Sequence, residues 1–188
     1  MNAGPAVLLA ALGLALVVAI WVIVTFNSLV RLCKYCDESW SDIDTELKRR
    51  YDLIPNLVNT VKGYAAHEKD LFERVIQARN TAFANNGSPA SQAKDENVLI
   101  GQVRQLFALA ESYPNLKASR NFMELQRELA NTEDRIQRSR RFYNANVRDL
   151  NTRIEVVPSN IVAGWFGFQP REMFEIEDAA RQPPMTSG

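Results

Sequence analysis

Residues 6–26 carry no charged side chain and are almost all Ala, Val, Leu, Ile, Trp or Phe, and this run constrains the chain more than any other feature. At ~1.5 Å of rise per residue, about 20 helical residues cross a ~30 Å hydrocarbon core. The run reads as a transmembrane helix. A cleaved signal peptide is the rival reading, but no Lys or Arg precedes the run, and it is longer than the usual apolar core of about 7–15 residues. Within it Ala11, Ala15 and Ala19 recur at four-residue spacing, a small-residue stripe of the kind that lets membrane helices approach closely. The stripe is the expected packing face for self-association. The flanks set the orientation: Arg31, Lys34, Lys48, Arg49 and Arg50 follow the span and no basic side chain precedes it. The positive-inside rule then leaves a short extracytoplasmic N-terminus at 1–5 and a cytoplasmic domain, a periplasmic domain being the alternative.

All 22 Lys and Arg and all 22 Asp and Glu fall after residue 30, and they balance. A neutral chain has no basic funnel for nucleic acid. With two Cys and one His, neither a zinc finger nor a disulfide framework can be built.

After the span, Trp40, Ile43, Leu47, Ile54, Leu57, Val58 and Val61 recur at steps of three and four, and Leu71, Phe72, Val75 and Ile76 resume the pattern. That spacing predicts one helical stripe, kinked rather than ended at Pro55. Asn85-Asn86-Gly87-Ser88-Pro89 reads as a loop. A second, shorter helix is expected from Asp95 to Ala110, stopped by Tyr113-Pro114-Asn115. A third, the longest regular signal, runs from Phe122 through Leu129, Ile136, Tyr143 and Leu150 to Ile154, and Pro158 ends it. The expected fold is all-α: an N-terminal transmembrane helix followed by an antiparallel bundle of long, coiled-coil-like helices at 27–157. A C-terminal aromatic and short-helix segment follows at 158–182, then a flexible tail at 183–188.

Three groups of residues invite a functional reading. Asp52, Asn56 and Asn59 on the first helix and Glu133, Arg140, Asn144 and Asn151 on the third repeat near 3.5 residues, which would line one polar seam. Such a seam is best attested as a device for register or partner choice. Solvated polar residues and a ligand site between helices are the alternatives, although no Glu-x-x-His pair supports a di-metal centre. Trp165, Phe166 and Phe168 form the second group. They either cap the end of the bundle or touch lipid at the headgroup level. A bundle running up, down and up would hold them away from the membrane, unless the third helix runs back down. The third group is Cys33 and Cys36, which read as small residues at the membrane exit rather than a redox pair, and the lone His67, read as a capping or packing residue. No phosphate-binding loop, nucleophile elbow or metalloprotease helix is present. Neither catalytic residues nor a cofactor or metal are expected.

Trp40-Ser-Asp-Ile-Asp44, the block from Leu47 to Glu68, Ser112-Tyr-Pro-Asn-Leu-Lys117, and Phe142-Tyr-Asn144 followed by Asn151 resemble the LemA family. The resemblance implies a bacterial single-pass protein of the inner (cell) membrane with a long-helix bundle and no enzymatic activity, related to MamQ-type proteins of magnetosome membranes. It implies a scaffold or accessory protein, some members being encoded near membrane proteases of the HtpX type, and it carries over no catalytic residues. The function so expected is a non-enzymatic, self-assembling membrane scaffold with the membrane, further copies and a protease or other protein as partners. A membrane-anchored sensor or signalling adaptor is the alternative, and an enzyme the remaining one. In the tail, Gln182-Pro-Pro-Met185 lacks the closing aromatic that the family leads one to expect.

Overall fold

A computed structural model describes residues 3–176. The expected tail at 183–188 and the end of the C-terminal segment before it lie outside the described residues. Every regular element among the described residues is helical: α1 (Ala3–Lys62), α2 (Lys69–Ala84), α3 (Pro89–Glu111), α4 (Pro114–Lys117), α5 (Arg120–Glu155) and α6 (Ser159–Phe166). The chain divides into two compact units. One comprises Met1–Glu38 with Ala145–Arg171, and the other comprises Ser39–Asn144 with Glu172–Gly188.

In α1 a core position recurs every seven residues. Leu29, Cys36, Ile43, Arg50 and Leu57 are all buried, the spacing at which a straight helix presents nearly the same face. On α5 the same period buries Phe122, Leu129, Ile136, Tyr143 and Leu150. Cys36 is thus a core residue. Burial raises its thiol pKa, as it does that of the half-exposed Cys33.

Pro55 lies inside α1, which continues in phase to Lys62. Proline has no N–H to offer the carbonyl four residues back, here that of Tyr51. The Arg79 Nε donates to that oxygen at 3.1 Å. The guanidinium is held over the Phe83 ring, 4.8 Å from its centroid. A side chain of α2 therefore completes the hydrogen bond that the α1 backbone cannot make.

The stripe expected to run through Val61 into Leu71 is in fact two helices. After Lys62 the chain turns, with Tyr64 N and Ala65 N both donating to the Val61 carbonyl at 3.0 Å, and Ala65 is tucked into the core. The exposed His67 belongs to this turn. The next reversal matches the expected loop: Asn85 Oδ1 accepts from Gly87 N at 2.8 Å, and its Nδ2 donates to Asp95 Oδ2 at 2.6 Å. Ser88 caps α3 and Pro89 opens it, so α3 begins six residues before the expected Asp95. The third reversal passes through α4.

Three reversals, rather than the two implied by a three-helix chain, make α5 antiparallel to α1. In the second unit Trp40 meets Tyr143, Glu46 meets Arg135 and Arg50 meets Glu133, the numbers on α5 falling as those on α1 rise.

Candidate functional site

Polar side chains of α5 hold a segment of the chain's own backbone. Beyond α6 residues 171–176 belong to no regular element, and the spacing of their contacts with α5 is that of an extended chain. In the second unit the Asn144 carboxamide brackets Phe174, with Oδ1 accepting from Phe174 N at 2.9 Å and Nδ2 donating to Phe174 O at 3.1 Å. Tyr143 donates its hydroxyl to the Glu172 carbonyl at 3.0 Å, and Arg140 donates to that of Ile176. The register follows from geometry. Four helical residues from Arg140 to Asn144 advance about 6 Å, and two extended residues from Ile176 to Phe174 advance about 6.6 Å. Phe174 and Ile176 are buried, and the Phe174 ring lies edge-on to Trp40 at 5.2 Å. In the first unit Asn151 makes the same bracket around Arg171, with distances of 2.8 and 2.9 Å, and Arg171 pairs with Asp37 at 2.6 Å.

A second polar centre lies in the second unit. Arg50, at a core position of α1, pairs with Glu96 of α3 and, at 2.7 Å, with Glu133 of α5. The Tyr51 hydroxyl donates to the same Glu96. Burial first, then the Glu96 carboxylate, pushes the Tyr51 pKa far above its ordinary value, keeping it a neutral donor. The single guanidinium bridges both carboxylates, and removing one partner of a buried ion pair typically costs about 3 to 5 kcal/mol.

The structure does not bring the seven expected seam residues together. Asp52, Asn56 and Asn59 are exposed, because Tyr51, Ile54, Leu57, Val58 and Val61 occupy the inward side of α1. Asn59 instead lines an open groove with Pro55, Val58, Phe72 and Ile76. Of the α5 residues, Glu133 joins the ion cluster, while Arg140, Asn144 and Asn151 hold the extended segment. Sequence reasoning passed over Arg50, Tyr51 and Glu96. The available signal was arithmetic: Arg50 stands seven residues after Ile43 and seven before Leu57, so a charge occupies a core position.

Ala11, Ala15 and Ala19 are exposed, in a stretch of α1 that has no burial against the rest of the described chain. That stretch is long and apolar enough to cross a membrane. Phe166 and Phe168 pack on Phe26, with ring centroids 4.7 and 5.7 Å away, and Trp165 is exposed. Cys33 and Cys36 are not joined in a disulfide.

A profile of the LemA family matches residues 39–187, most of the chain. The chain belongs to the LemA family. Among similar proteins, the magnetosome protein MamQ of Magnetospirillum gryphiswaldense is 24% identical over 99% of this chain and 78% of its own. Magnetosome protein MamQ 2 of Paramagnetospirillum magneticum is 25% identical over 86% and 68%. Protein LemA of Metamycoplasma hominis is 24% identical over 86% and 74%. The matched region of this LemA family chain begins after the apolar run and contains the ion cluster and both asparagine brackets.

Proposed function

We propose that this LemA family protein is a non-enzymatic scaffold of the bacterial inner membrane, held by the span at 6–26, with a cytoplasmic helical domain, which self-assembles and organises protein partners or the bilayer. One observation carries the reading. The buried and half-buried polar side chains that could have formed a reaction centre are committed to architecture: Asn144 and Asn151 to the chain's own backbone, and Arg50, Glu96 and Glu133 to one another. The apolar part of α1, by contrast, is exposed from Val7 to Ile20. Lipid supplies little hydrophobic drive between helices, so close packing of small residues would bring two such spans together, and Ala11, Ala15 and Ala19 supply the face. The test is cross-linking of the full-length protein in native membranes, followed by size measurement in mild detergent. Oligomers are expected, and Ala15→Ile should reduce their size while leaving helicity unchanged. Capture of monomer alone would overturn self-assembly, and oligomers indifferent to Ala15→Ile would remove the span as the contact.

A further inference from the structure

The chain has no charged side chain between Glu155 and Arg171, and α6 lies within that stretch. One side of α6 is packed: Ser159, Val162 and Ala163 are buried, and the single Ser159 hydroxyl proton is shared between the carbonyls of Arg153, at 2.7 Å, and Val156, at 3.0 Å, covering the end of α5. The other side should be polar if it faces water. Instead Ile161 and Trp165 lie on it four residues apart, with Trp165 74% exposed, and Val157 in the turn before the helix is 77% exposed. Gly167 then ends the helix in the left-handed region, with φ of 71°, and Phe168 N bonds back to the Ala163 carbonyl at 3.0 Å. That glycine-centred reversal brings Phe168 beside Phe166, and both rings rest on Phe26.

Phe26 decides what covers the open side. It is the last residue of the apolar run, so on the reading of 6–26 as a span it lies where the span leaves the hydrocarbon, and Phe166 of α6 packs on it there. Trp and other amphipathic rings favour this headgroup level, and an apolar helix face can rest a few ångströms into the acyl boundary. We propose that α6 is a second membrane contact: its Ile161 and Trp165 face, with Val157 in the turn before it, lies in the bilayer interface, in the leaflet from which α1 emerges. The proposal rests on the reading of residues 6–26 as a span, and tryptophan positions permit the two to be tested separately.

Trp21 lies in the apolar run, Trp40 beyond it and Trp165 on α6. Two full-length variants, Trp40→Phe with Trp165→Phe and Trp21→Phe with Trp40→Phe, leave Trp21 or Trp165 as the sole tryptophan. They are placed in vesicles of phosphatidylcholine and phosphatidylglycerol carrying bromine at a shallow or a deep acyl carbon. Circular dichroism checks that each retains parental helicity, and the loss of emission between parent and Trp165→Phe repeats the measurement in the otherwise native chain. Trp165 should lose most of its emission to shallow bromine, little to deep bromine and little to aqueous acrylamide. Quenching of Trp21 by lipid with Trp165 quenched by acrylamide alone would overturn the proposal and leave the span intact. Trp165 shielded from both quenchers would also overturn it, since another protein surface would then cover α6. Trp21 indifferent to brominated lipid would remove the span and the proposal together.

Discussion

Pro55 and Arg79 show how a defect in one helix is corrected by a residue of another. Without an N–H at 55, the Tyr51 carbonyl faces a part-buried site with no helical donor, and the Arg79 guanidinium supplies one. Hydrogen bonds to charged groups contribute about 1.5 to 3 kcal/mol each, so Arg79→Ala should lower stability by about that much. In a Pro55→Ala background the restored backbone N–H takes over the carbonyl, and the same Arg79→Ala change should cost distinctly less. Denaturant titration of the four variants in mild detergent measures the coupling. Equal losses in both backgrounds would show that Arg79 acts through its other contacts, with Phe83, Asp52 and Asn80, and not through the Tyr51 carbonyl. Pro55 could be recognised in the sequence as a break in the backbone ladder. That Arg79 answers it could not, because 28 residues and a turn separate Arg79 from the Tyr51 carbonyl.

At the scale of elements, α5 has two jobs on adjoining sides. Its seven-residue apolar ladder packs into the core, and its polar residues grip the extended segment that follows α6. Asn suits this because its carboxamide offers both an acceptor and a donor, matching the N–H and C=O of one extended residue. Asn144→Ala should therefore remove two hydrogen bonds, at a cost of about 1 to 3 kcal/mol. It should also raise hydrogen exchange at the Phe174 amide while leaving the amides of α5 protected. Asn144→Asp keeps the acceptor and should retain much of that protection. Unchanged exchange at Phe174 in both variants would show that burial of its ring, not the bracket, holds the segment. The period of Asn144 and Asn151 was visible in the sequence, but their partner was not. An extended segment pairing through side-chain amides has no sequence pattern of its own.

For the whole molecule, orientation is decided while the chain inserts, before tertiary contacts exist. Basic residues count mainly within about 15 to 20 positions of the span, and acidic ones contribute little. Arg31 and Lys34 therefore dominate, and Arg50, destined for the core, lies beyond that window. A reporter fused after Gly188 should behave as cytoplasmic, and Arg31→Ala with Lys34→Ala should lower the fraction of molecules so oriented. Activity of a periplasm-dependent reporter at Gly188 in the parent chain would reverse the assignment and move α6 to the outer leaflet.

What the sequence determined by itself is whatever depends on local periodicity. An apolar run of membrane-crossing length, the three-and-four spacing of the helices and the Asn-Gly-Ser-Pro loop each act through neighbours within a few turns. The tertiary structure decided which polar residues are inside and what they touch. Arg50 is buried because Glu96, 46 residues away, and Glu133 meet it there, whereas Asp52, two residues along the same helix, points to water. It also decided the number of reversals. The turn after Lys62 interrupts an apolar stripe that resumes with helical spacing, so the pattern alone reads as one element. Burial of Ala65 in the turn and the packing of α2 against α3 remove apolar surface from water in a way one continuous helix could not, and so favour two helices and an antiparallel α5.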